Sequence, residues 1–372
     1  MAIAGTNIQL DNTEGMDKVT TVEKVTTPYH SDGSETLLAA STVSSSLTDT
    51  NETYFFGISN SSTATTVEWN VAFGSLRGYG SLVEANTKAE TEAIYGQYAS
   101  MLLAPSEVTG GFIISRNNSL TTAPTNAKIA SGKDQEIYVL SARRTNMKDR
   151  LNKGTWTIAL SGSKAQDVQA APLVELTDDS SNGTPLSTPV GDRYNIVSGS
   201  AGTISGSGAS DRTYGFFYPD MGIMVFSANE LSSSIPGFKQ DTAKTVVFDS
   251  GSMKGFAYPT TTNANRKTAL RFINCLQPVG AKLSFRDEED QVSAQYFCRV
   301  RSGHMNFSNN PTFVSGSENK LRNSKMRGNP QTFITGVQLY NENGQMVAVA
   351  HLSKPLKKNF SSESTIKVKL TY

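Results

Sequence analysis

The sequence predicts a mainly β protein, built from several antiparallel β-sandwich or barrel-like domains with few short helices. Serine and threonine make up roughly a fifth of the 372 residues, glycine is plentiful, and charged residues are only 18% of the chain. This profile is typical of all-β proteins, because threonine and the aromatics fit a pleated surface while glycine and serine suit turns. Short apolar runs separated by turn residues recur along the chain, as they do in sandwiches and barrels.

The overall charge and the lack of long apolar runs exclude some classes of partner. The net charge is +1 at pH 7, so no global field favours nucleic acid or an anionic membrane. No run reaches about 18 apolar residues, so we expect no membrane-spanning helix. Residues 1–7 lack the basic start and apolar core of a signal peptide, so we expect no export signal.

Changes in composition along the chain predict four regions. Residues 1–50 are polar with little periodicity, which is typical either of an N-terminal arm that a neighbouring subunit orders or of a disordered tail. Residues 51–130 are predicted to form a small α+β domain, residues 131–270 a β-rich domain, and residues 271–372 a C-terminal β domain. The polar run 117–131 is typical of a linker between the first two domains.

The clearest helix is predicted near 87–103. The sequence Thr-Lys-Ala-Glu that ends at Glu90 is a capping box, which ties the first exposed amides of a helix to side chains. Ile94, Tyr98 and Met101 (or Leu102) follow at helical spacing and predict one apolar stripe.

Most other predicted elements are strands. In chain order they are residues 53–59, 66–70, 111–116, 135–140, 154–160, 173–177, 193–198, 213–226 (two strands around a Pro-Asp turn), 245–248, 282–285, 293–300 and 365–372. The Gly-Ser run 199–210 is predicted to be flexible, and the acidic run 286–290 to be a solvated turn. In the closing strand Ile366, Val368, Leu370 and Tyr372 are expected to face one way, and Lys367 and Lys369 the other.

The run 331–352 is the best hairpin signal in the chain. Two β-rich arms flank Asn-Glu-Asn-Gly, with Gly344 placed to supply a positive φ. The second arm has apolar residues on both faces, which predicts that both faces are covered. The cover could be another sheet of this chain or another subunit. The expected faces are Phe333, Thr335, Val337 and Leu339 on the first arm, and Met346, Ala348, Ala350 and Leu352 against Val347, Val349 and His351 on the second.

The two cysteines, Cys275 and Cys298, each lie in an apolar, strand-like context. An antiparallel pair of strands could bring them close enough for a disulfide bond. Buried thiols are the favoured alternative, since the chain has no export signal.

We find no pattern that predicts catalysis, a cofactor or a metal site. The three histidines, His30, His304 and His351, have no ligand-like spacing, and neither cysteine has a Cys-x-x-Cys partner. The glycine-rich run 202–210 lacks the lysine, the preceding parallel strand and the following helix of a phosphate-binding loop. We therefore expect a protein that is not an enzyme.

The strongest polar feature is a basic connector at residues 143–153. It lacks the interleaved aromatics that stack bases, so nucleic acid is disfavoured. Charge complementarity to an acidic neighbouring protein and a simple solvated turn both stay open. With the second arm of the hairpin it forms the candidate assembly interface, which comprises Arg143, Arg144, Lys148, Arg150, Val347, Val349 and His351.

Five segments resemble virion structural proteins of large T-even-like contractile-tailed phages, especially those of cyanophages. They are residues 137–156, 214–226, 307–313, 330–344 and 347–358. Residues 54–59 are loosely similar to the start of baseplate wedge proteins in such phages.

The resemblance implies a structural subunit of the baseplate or tail, located in the virion and assembled in the host cytoplasm. Its implied partners are other virion proteins and copies of itself in a ring-like assembly. It implies no catalytic residue. A second hypothesis is a receptor-binding, adhesin-like tail protein that recognises host surface glycan, supported by Ser/Thr/Gly-rich loops that carry aromatics.

Overall fold

The fold is mainly β with antiparallel sheets, as the sequence predicts. The computed structural model describes residues 8–11, 15–37, 41–42, 55–59, 66–76, 90–105, 107, 111–114, 133–134, 136–160, 174–205, 213–228, 230–231, 238–240, 246–248, 268–276, 283–315, 318 and 320–372.

The elements are numbered in chain order. The strands are β1 (Lys18–Pro28), β2 (Thr36–Leu37), β3 (Ser41–Thr42), β4 (Phe55–Ser59), β5 (Trp69–Ser75), β6 (Glu136–Ala142), β7 (Arg150–Leu151), β8 (Thr157–Leu160), β9 (Val174–Asp178), β10 (Leu186–Thr188), β11 (Gly191–Ser200), β12 (Thr203–Ile204), β13 (Gly215–Tyr218), β14 (Ile223–Ser227), β15 (Phe238–Gln240), β16 (Val246–Phe248), β17 (Leu283–Ser284), β18 (Arg286–Val300), β19 (Val314–Ser315), β20 (Lys320–Leu321), β21 (Thr332–Tyr340), β22 (Met346–Lys358) and β23 (Ser364–Thr371). The helices are α1 (Glu90–Leu102) and α2 (Thr268–Leu276), and Ser324–Met326 form a turn of 3-10 helix.

The chain divides into two compact units. The larger unit spans Val25–Glu289, and the smaller unit combines Met1–Lys24 with Asp290–Tyr372.

The larger unit is organised by one long antiparallel sheet. Its strand order is β2-β17-β8-β9-β11-β13-β14-β6-β5-β4-β3, with β10 and β12 also paired to β11. Within this order β13 and β14 form a hairpin, which pairs from Gly215↔Phe226 to Tyr218↔Ile223 around the predicted Pro-Asp turn.

This sheet curls until its two ends share one core. Six strands separate β17 from β5 in the order, yet the ring of Phe285, just after β17, lies 4.4 Å from Trp69 on β5. Phe285 also stacks on Trp156 at 5.5 Å, next to β8. Aromatic contacts at this distance require the sheet to bend back on itself, which gives a nearly closed, barrel-like sheet.

Helix α2 packs on the concave side of the curled sheet. It contacts β4, β5 and β8, and Phe272 lies 5.6 Å from Tyr138 and 5.2 Å from Phe226. The strand-like context expected around Cys275 is therefore wrong. Ala269, Phe272, Ile273 and Leu276 are buried at the 3- and 4-residue spacing of a helix, and a short apolar run does not separate helix from strand.

Helix α1 covers the other face of the sheet, and its buried stripe differs from the predicted one. The buried residues are Thr91, Tyr95, Ala99 and Leu102. Ile94, Tyr98 and Met101, the predicted stripe, are only half-buried, although the alternative Leu102 is buried. The Tyr95 hydroxyl donates to the Asp134 carbonyl at 2.6 Å and accepts from the Phe112 amide at 2.9 Å. These two bonds fix the rotation of the helix, and residues 87–89 of the expected capping box lie outside the described residues.

Residues 111–114, predicted as part of a strand, form an extended segment without a ladder partner among the described residues. Phe112 and Ile114 are nevertheless buried against α1. Gly111 has a φ of 103°, and a Cβ there would lie 2.1 Å from the Tyr95 hydroxyl oxygen, so this position requires glycine.

The two compact units differ from the four regions expected from composition. β5 pairs with β6 from Trp69↔Ala142 to Ser75↔Glu136, so strands of the expected small domain and of the expected β-rich domain share one sheet. Residues of the expected arm also lie in sheets, since β2 pairs with β17 and β1 with β18. The expected linker at 117–131 lies outside the described residues.

The Gly-Ser run 199–210 is ordered where it is described. The end of β11 turns through Ala201 and Gly202, which have φ values of 47° and 76°, and pairs with β12. The Thr157 and Thr177 hydroxyls accept hydrogen bonds from the two turn amides at 2.9 and 2.8 Å. The predicted flexibility is wrong for residues 199–205, and residues 206–210 lie outside the described part.

In the smaller unit, β18 pairs with β23 from Ser293↔Thr371 to Val300↔Ser364. Val368 is buried, Ile366 and Leu370 are half-buried, and the intervening lysines are exposed, which confirms the predicted alternation. Tyr372 is 72% exposed, so it is not covered as the other apolar residues of this face are. Its backbone nevertheless exchanges two hydrogen bonds with Val292, at 2.9 and 3.1 Å, so the ladder continues to Tyr372.

Candidate functional site

The basic connector is matched by acidic residues of the same chain. Lys148 Nζ lies 4.0 Å from Glu289 Oε2. Arg150 Nη1 lies 3.6 Å from Glu288 Oε1, and its Nε lies 3.7 Å from Asp220 Oδ1. The chain therefore supplies acidic partners for two of the connector's charges. The exposed Lys148–Glu289 pair contributes little stability by itself.

The acidic run 286–290, predicted as a solvated turn, is part of β18. β7 pairs with it through Asp287↔Leu151 and Glu288↔Arg150. Asp287 is 0% exposed and Glu288 is 7% exposed. The turn prediction is wrong because pairing with β7 buries these carboxylates. The two strands are far apart in sequence, so composition alone assigns the carboxylates to solvent.

Asp287 connects the acidic strand to the basic connector. Its Oδ2 accepts a short hydrogen bond from the Lys148 amide. Burial raises the pKa of Asp287 to about 6, although the Lys148 and Glu288 amides and the charges of Lys148 and Arg144 act in the opposite direction. This carboxyl group therefore titrates close to neutral pH.

A second buried carboxylate, Glu68, holds the start of the connector. It is 1% exposed and accepts short hydrogen bonds from the Ser31 hydroxyl and the Asn146 side-chain amide. Its backbone carbonyl accepts from the Tyr29 hydroxyl at 2.8 Å and from the Arg143 amide at 3.2 Å. The start of the connector is thus fixed to the residue that precedes β5 of the curled sheet, and Leu151 and Arg150 pair with β18 of the other sheet.

His30 lies next to this network. It is 3% exposed, and its ring lies edge-on to Tyr29 at 5.2 Å. Burial lowers the pKa of His30, against the opposing effect of Glu68, so the imidazole is neutral at pH 7. Sequence reasoning missed Tyr29, Glu68 and Asn146, because nothing in their local sequence marks them as partners.

The second candidate surface is the hairpin of β21 and β22, which form a sheet of two strands. Its turn is tightly held by three hydrogen bonds between Asn341 and Gln345. The Asn341 amide donates to the Gln345 carbonyl at 2.9 Å, the Gln345 amide donates to Asn341 Oδ1 at 2.8 Å, and Asn341 Nδ2 donates to Gln345 Oε1 at 2.9 Å. Gly344 has a φ of 75°, which confirms the predicted positive value.

Two irregularities alter the predicted faces of the hairpin. The register shifts between Ile334 and Gly336, where the partner changes from Leu356 to His351 across the stretch that contains Pro355. A second shift between Leu339 and Tyr340 leaves Val347 as an extra residue. As a result Phe333 is exposed while Val337 and Leu339 are half-buried, although they were expected to share one face. Bulges of this kind re-aim side chains.

Little of the hairpin is buried by this chain. Within β21 and β22, Lys358 is the one buried residue. Tyr340 and Met346 are cross-strand neighbours on one face of the hairpin. Leu339 and Ala348 are cross-strand neighbours on the opposite face. Apolar side chains therefore occur on both faces, as predicted. Of the two alternatives for the cover, another sheet in the described part of this chain does not bury these side chains. The exposed fractions are 56% for Phe333, 53% for Tyr340, 57% for Met346, 61% for Val347 and 53% for Val349.

Lys358 anchors the base of the hairpin. It is 0% exposed, and its ammonium group donates to the carbonyls of Ser302 and Asn359 at 2.9 and 2.8 Å and to Asn306 Oδ1 at 2.9 Å. Thr332 Oγ1 donates to the Met305 carbonyl at 2.5 Å. The first residue of β21 and the last residue of β22 are therefore both fixed to the 302–306 loop.

The predicted interface residues fall into two groups. Arg143, Arg144 and Lys148 are exposed and Arg150 is half-buried on the connector of the larger unit. Val347, Val349 and His351 are exposed on β22 of the smaller unit.

Cys275 and Cys298 are both buried and are not joined by a disulfide bond, which confirms the favoured alternative. Among the described residues, no group of three or more His, Cys, Asp or Glu side chains could hold a metal ion. No described helix has the length and apolar character needed to cross a membrane. Comparison with protein-family models, curated proteins and solved structures finds no match to the chain.

Proposed function

We propose that this chain is a structural subunit of a bacteriophage virion, in the baseplate or tail of a contractile tail, and that it acts through protein–protein assembly. The observation that carries the proposal is the hairpin of β21 and β22, which has apolar side chains on both faces. Five of them are more than half exposed, and others, such as Leu339 and Ala348, are half-buried. The phage resemblance of residues 330–344 and 347–358 falls on this hairpin.

The physical argument is that a hairpin of two strands is marginally stable in water without a covering layer. Each of its exposed apolar side chains is more than half accessible. Covering one of them would contribute about 1 kcal/mol, roughly half the value for full burial. Five such side chains form a surface that favours association.

The basic connector has a different role in this proposal. Lys148 and Arg150 have acidic partners, Glu289 and Glu288, in the same chain, so these two charges do not require an acidic neighbour. The hairpin, which lacks such partners, is assigned the assembly role.

The proposal is tested by cross-linking mass spectrometry of purified particles of the phage that encodes the chain. Lys354 and Lys357 are exposed on β22 and provide amine groups beside the apolar surface. We expect cross-links from these lysines to virion proteins. Absence of the chain from purified particles would reject the structural role, and cross-links to host surface glycoconjugates alone would favour the adhesin.

A further inference from the structure

The two outer edges of the hairpin are protected to different degrees. Among the described strands, β21 and β22 pair only with each other, so each has one edge with unpaired backbone groups. β22 carries Lys354, Pro355 and Lys357 along its edge, and lysine and proline are residues that prevent edge-to-edge pairing. β21 reads Thr-Phe-Ile-Thr-Gly-Val-Gln-Leu-Tyr, with no charge and no proline.

We infer that a second copy of this chain pairs with the edge of β21, antiparallel and about a two-fold axis near Gly336, to form the sheet β22-β21-β21-β22. This inference rests on the proposed function, because it names the partner of the same hairpin. Two-fold pairing of identical strands is self-complementary, and it would extend each marginal hairpin into a sheet of four strands.

The charges of the hairpin favour pairing through β21. In this arrangement the two copies of β22 are the outer strands, about 14 Å apart at the usual spacing, which exceeds a Debye length of about 10 Å at 0.1 M salt. Pairing through β22 would instead place the lysines of both copies about 5 Å apart across adjacent strands.

The same arrangement also brings opposite charges toward each other. Antiparallel pairing places the turn of one copy beside the base of the other. Glu342 lies in that turn, and Lys357, opposite Phe333, lies at the base. The dimer contains two copies of each residue. Two Glu342–Lys357 attractions of moderate range therefore favour this antiparallel register.

The first test is sedimentation equilibrium of the full chain, comparing Thr335→Lys with Thr365→Lys. Both threonines are exposed, one on β21 and one on β23, where lysines already alternate. We expect a wild-type dimer, at least tenfold weaker association for T335K because like charges meet near the axis, and no change for T365K. A wild-type chain that stays monomeric, or equal effects of the two variants, would overturn the inference.

The second test is a charge exchange at low salt. Glu342→Lys and Lys357→Glu should each weaken the dimer about threefold, because each makes two weak attractive contacts repulsive. The double variant should recover the dimer, because the exchanged charges attract each other again. Glu363→Lys, at an exposed residue before β23, is the control. A double variant as weak as the singles would contradict the proposed register.

The failure of this inference differs from the failure of the proposed function. A monomeric chain whose hairpin lysines cross-link to a different virion protein would overturn the second copy as partner and leave the structural role intact. A dimer with the predicted variant effects, formed by a chain that is absent from particles, would support the second copy as partner and reject the structural role.

Discussion

Asp287 is a buried carboxylate whose ionisation opposes folding at neutral pH. Burial raises its pKa to about 6, above the value of about 3.9 in an unfolded chain. The folded state therefore binds the proton more tightly, so the resulting stability is fully present below about pH 4. It is lost as the pH rises through about 6.

Replacing Asp287 by Asn should raise the free energy of unfolding at pH 7.5 by about 1–2 kcal/mol, because the amide avoids the cost of a buried charge and its oxygen can still accept the Lys148 amide. The gain should disappear near pH 4. Denaturant unfolding at several pH values measures this.

Asp32 is the matched control for that prediction. It is exposed, and hydrogen bonds from Ser34 lower its pKa, so its small contribution has the opposite sign and is lost as the pH falls. Asp32→Asn should not stabilise the chain at pH 7.5. A D287N variant that is destabilised equally at all pH values would show that the carboxylate is needed for its geometry instead.

At this scale the sequence predicted the identities of the polar clusters but not their contacts. Arg143–Arg150 and residues 286–290 were recognised as basic and acidic runs, and each was assigned to solvent or to a neighbour. Their pairing depends on β7 meeting β18, which joins segments more than a hundred residues apart. Glu68 and Tyr29 carry no local signal, because the bonds that satisfy them come from distant loops.

At the scale of elements, the base of the hairpin is fixed while most of its length is exposed. Three neutral oxygens accept from the Lys358 ammonium. The Ser302 and Asn359 carbonyls have further donors in Asn306 and Ser362, whereas the buried Asn306 Oδ1 depends on Lys358. Lys358 is therefore the residue that holds β22 to the rest of the smaller unit.

Lys358→Met should lower the free energy of unfolding by about 2 kcal/mol and increase hydrogen exchange in β21 and β22, because three hydrogen bonds from a charged group are lost and the buried Asn306 Oδ1 is left without this donor. Lys354→Met, at an exposed position on the same strand, should change neither. Denaturant unfolding with hydrogen-exchange mass spectrometry measures both effects. Equal behaviour of the two variants would show that Lys358 does not anchor the hairpin.

Elements with a strict period were predictable, and irregular ones were not. The alternation in β23 and the turn at Gly344 follow directly from the sequence. The faces of the hairpin were predicted incorrectly, because two register shifts change which residues lie together and no local residue type specifies a shift at Val347. Helix α2 was missed because its nine residues are too short and too apolar for periodicity to decide.

At the scale of the whole molecule, the fold class was predictable and the division into units was not. Composition identifies strands and turns, which fixes the mainly β class. The division depends on which strands pair, and β5 with β6 joins regions that composition separates. The same limit applies to the interface: the sequence indicated an apolar excess in β22, and the structure shows that this chain leaves it exposed.

The central claim is that the apolar hairpin surface is an assembly interface, and incorporation of Val349→Asp into phage particles tests it most directly. Val349 is 53% exposed, and Val22, on β1 of the smaller unit, is 59% exposed and provides the control variant V22D. Both variants should unfold at the wild-type midpoint, because neither valine lies in the core.

V349D should enter particles at least tenfold less than wild type, since assembly would bury a carboxylate among apolar side chains. V22D should enter at the wild-type level. Wild-type incorporation of a folded V349D, or loss of the folded monomer itself, would contradict the claim.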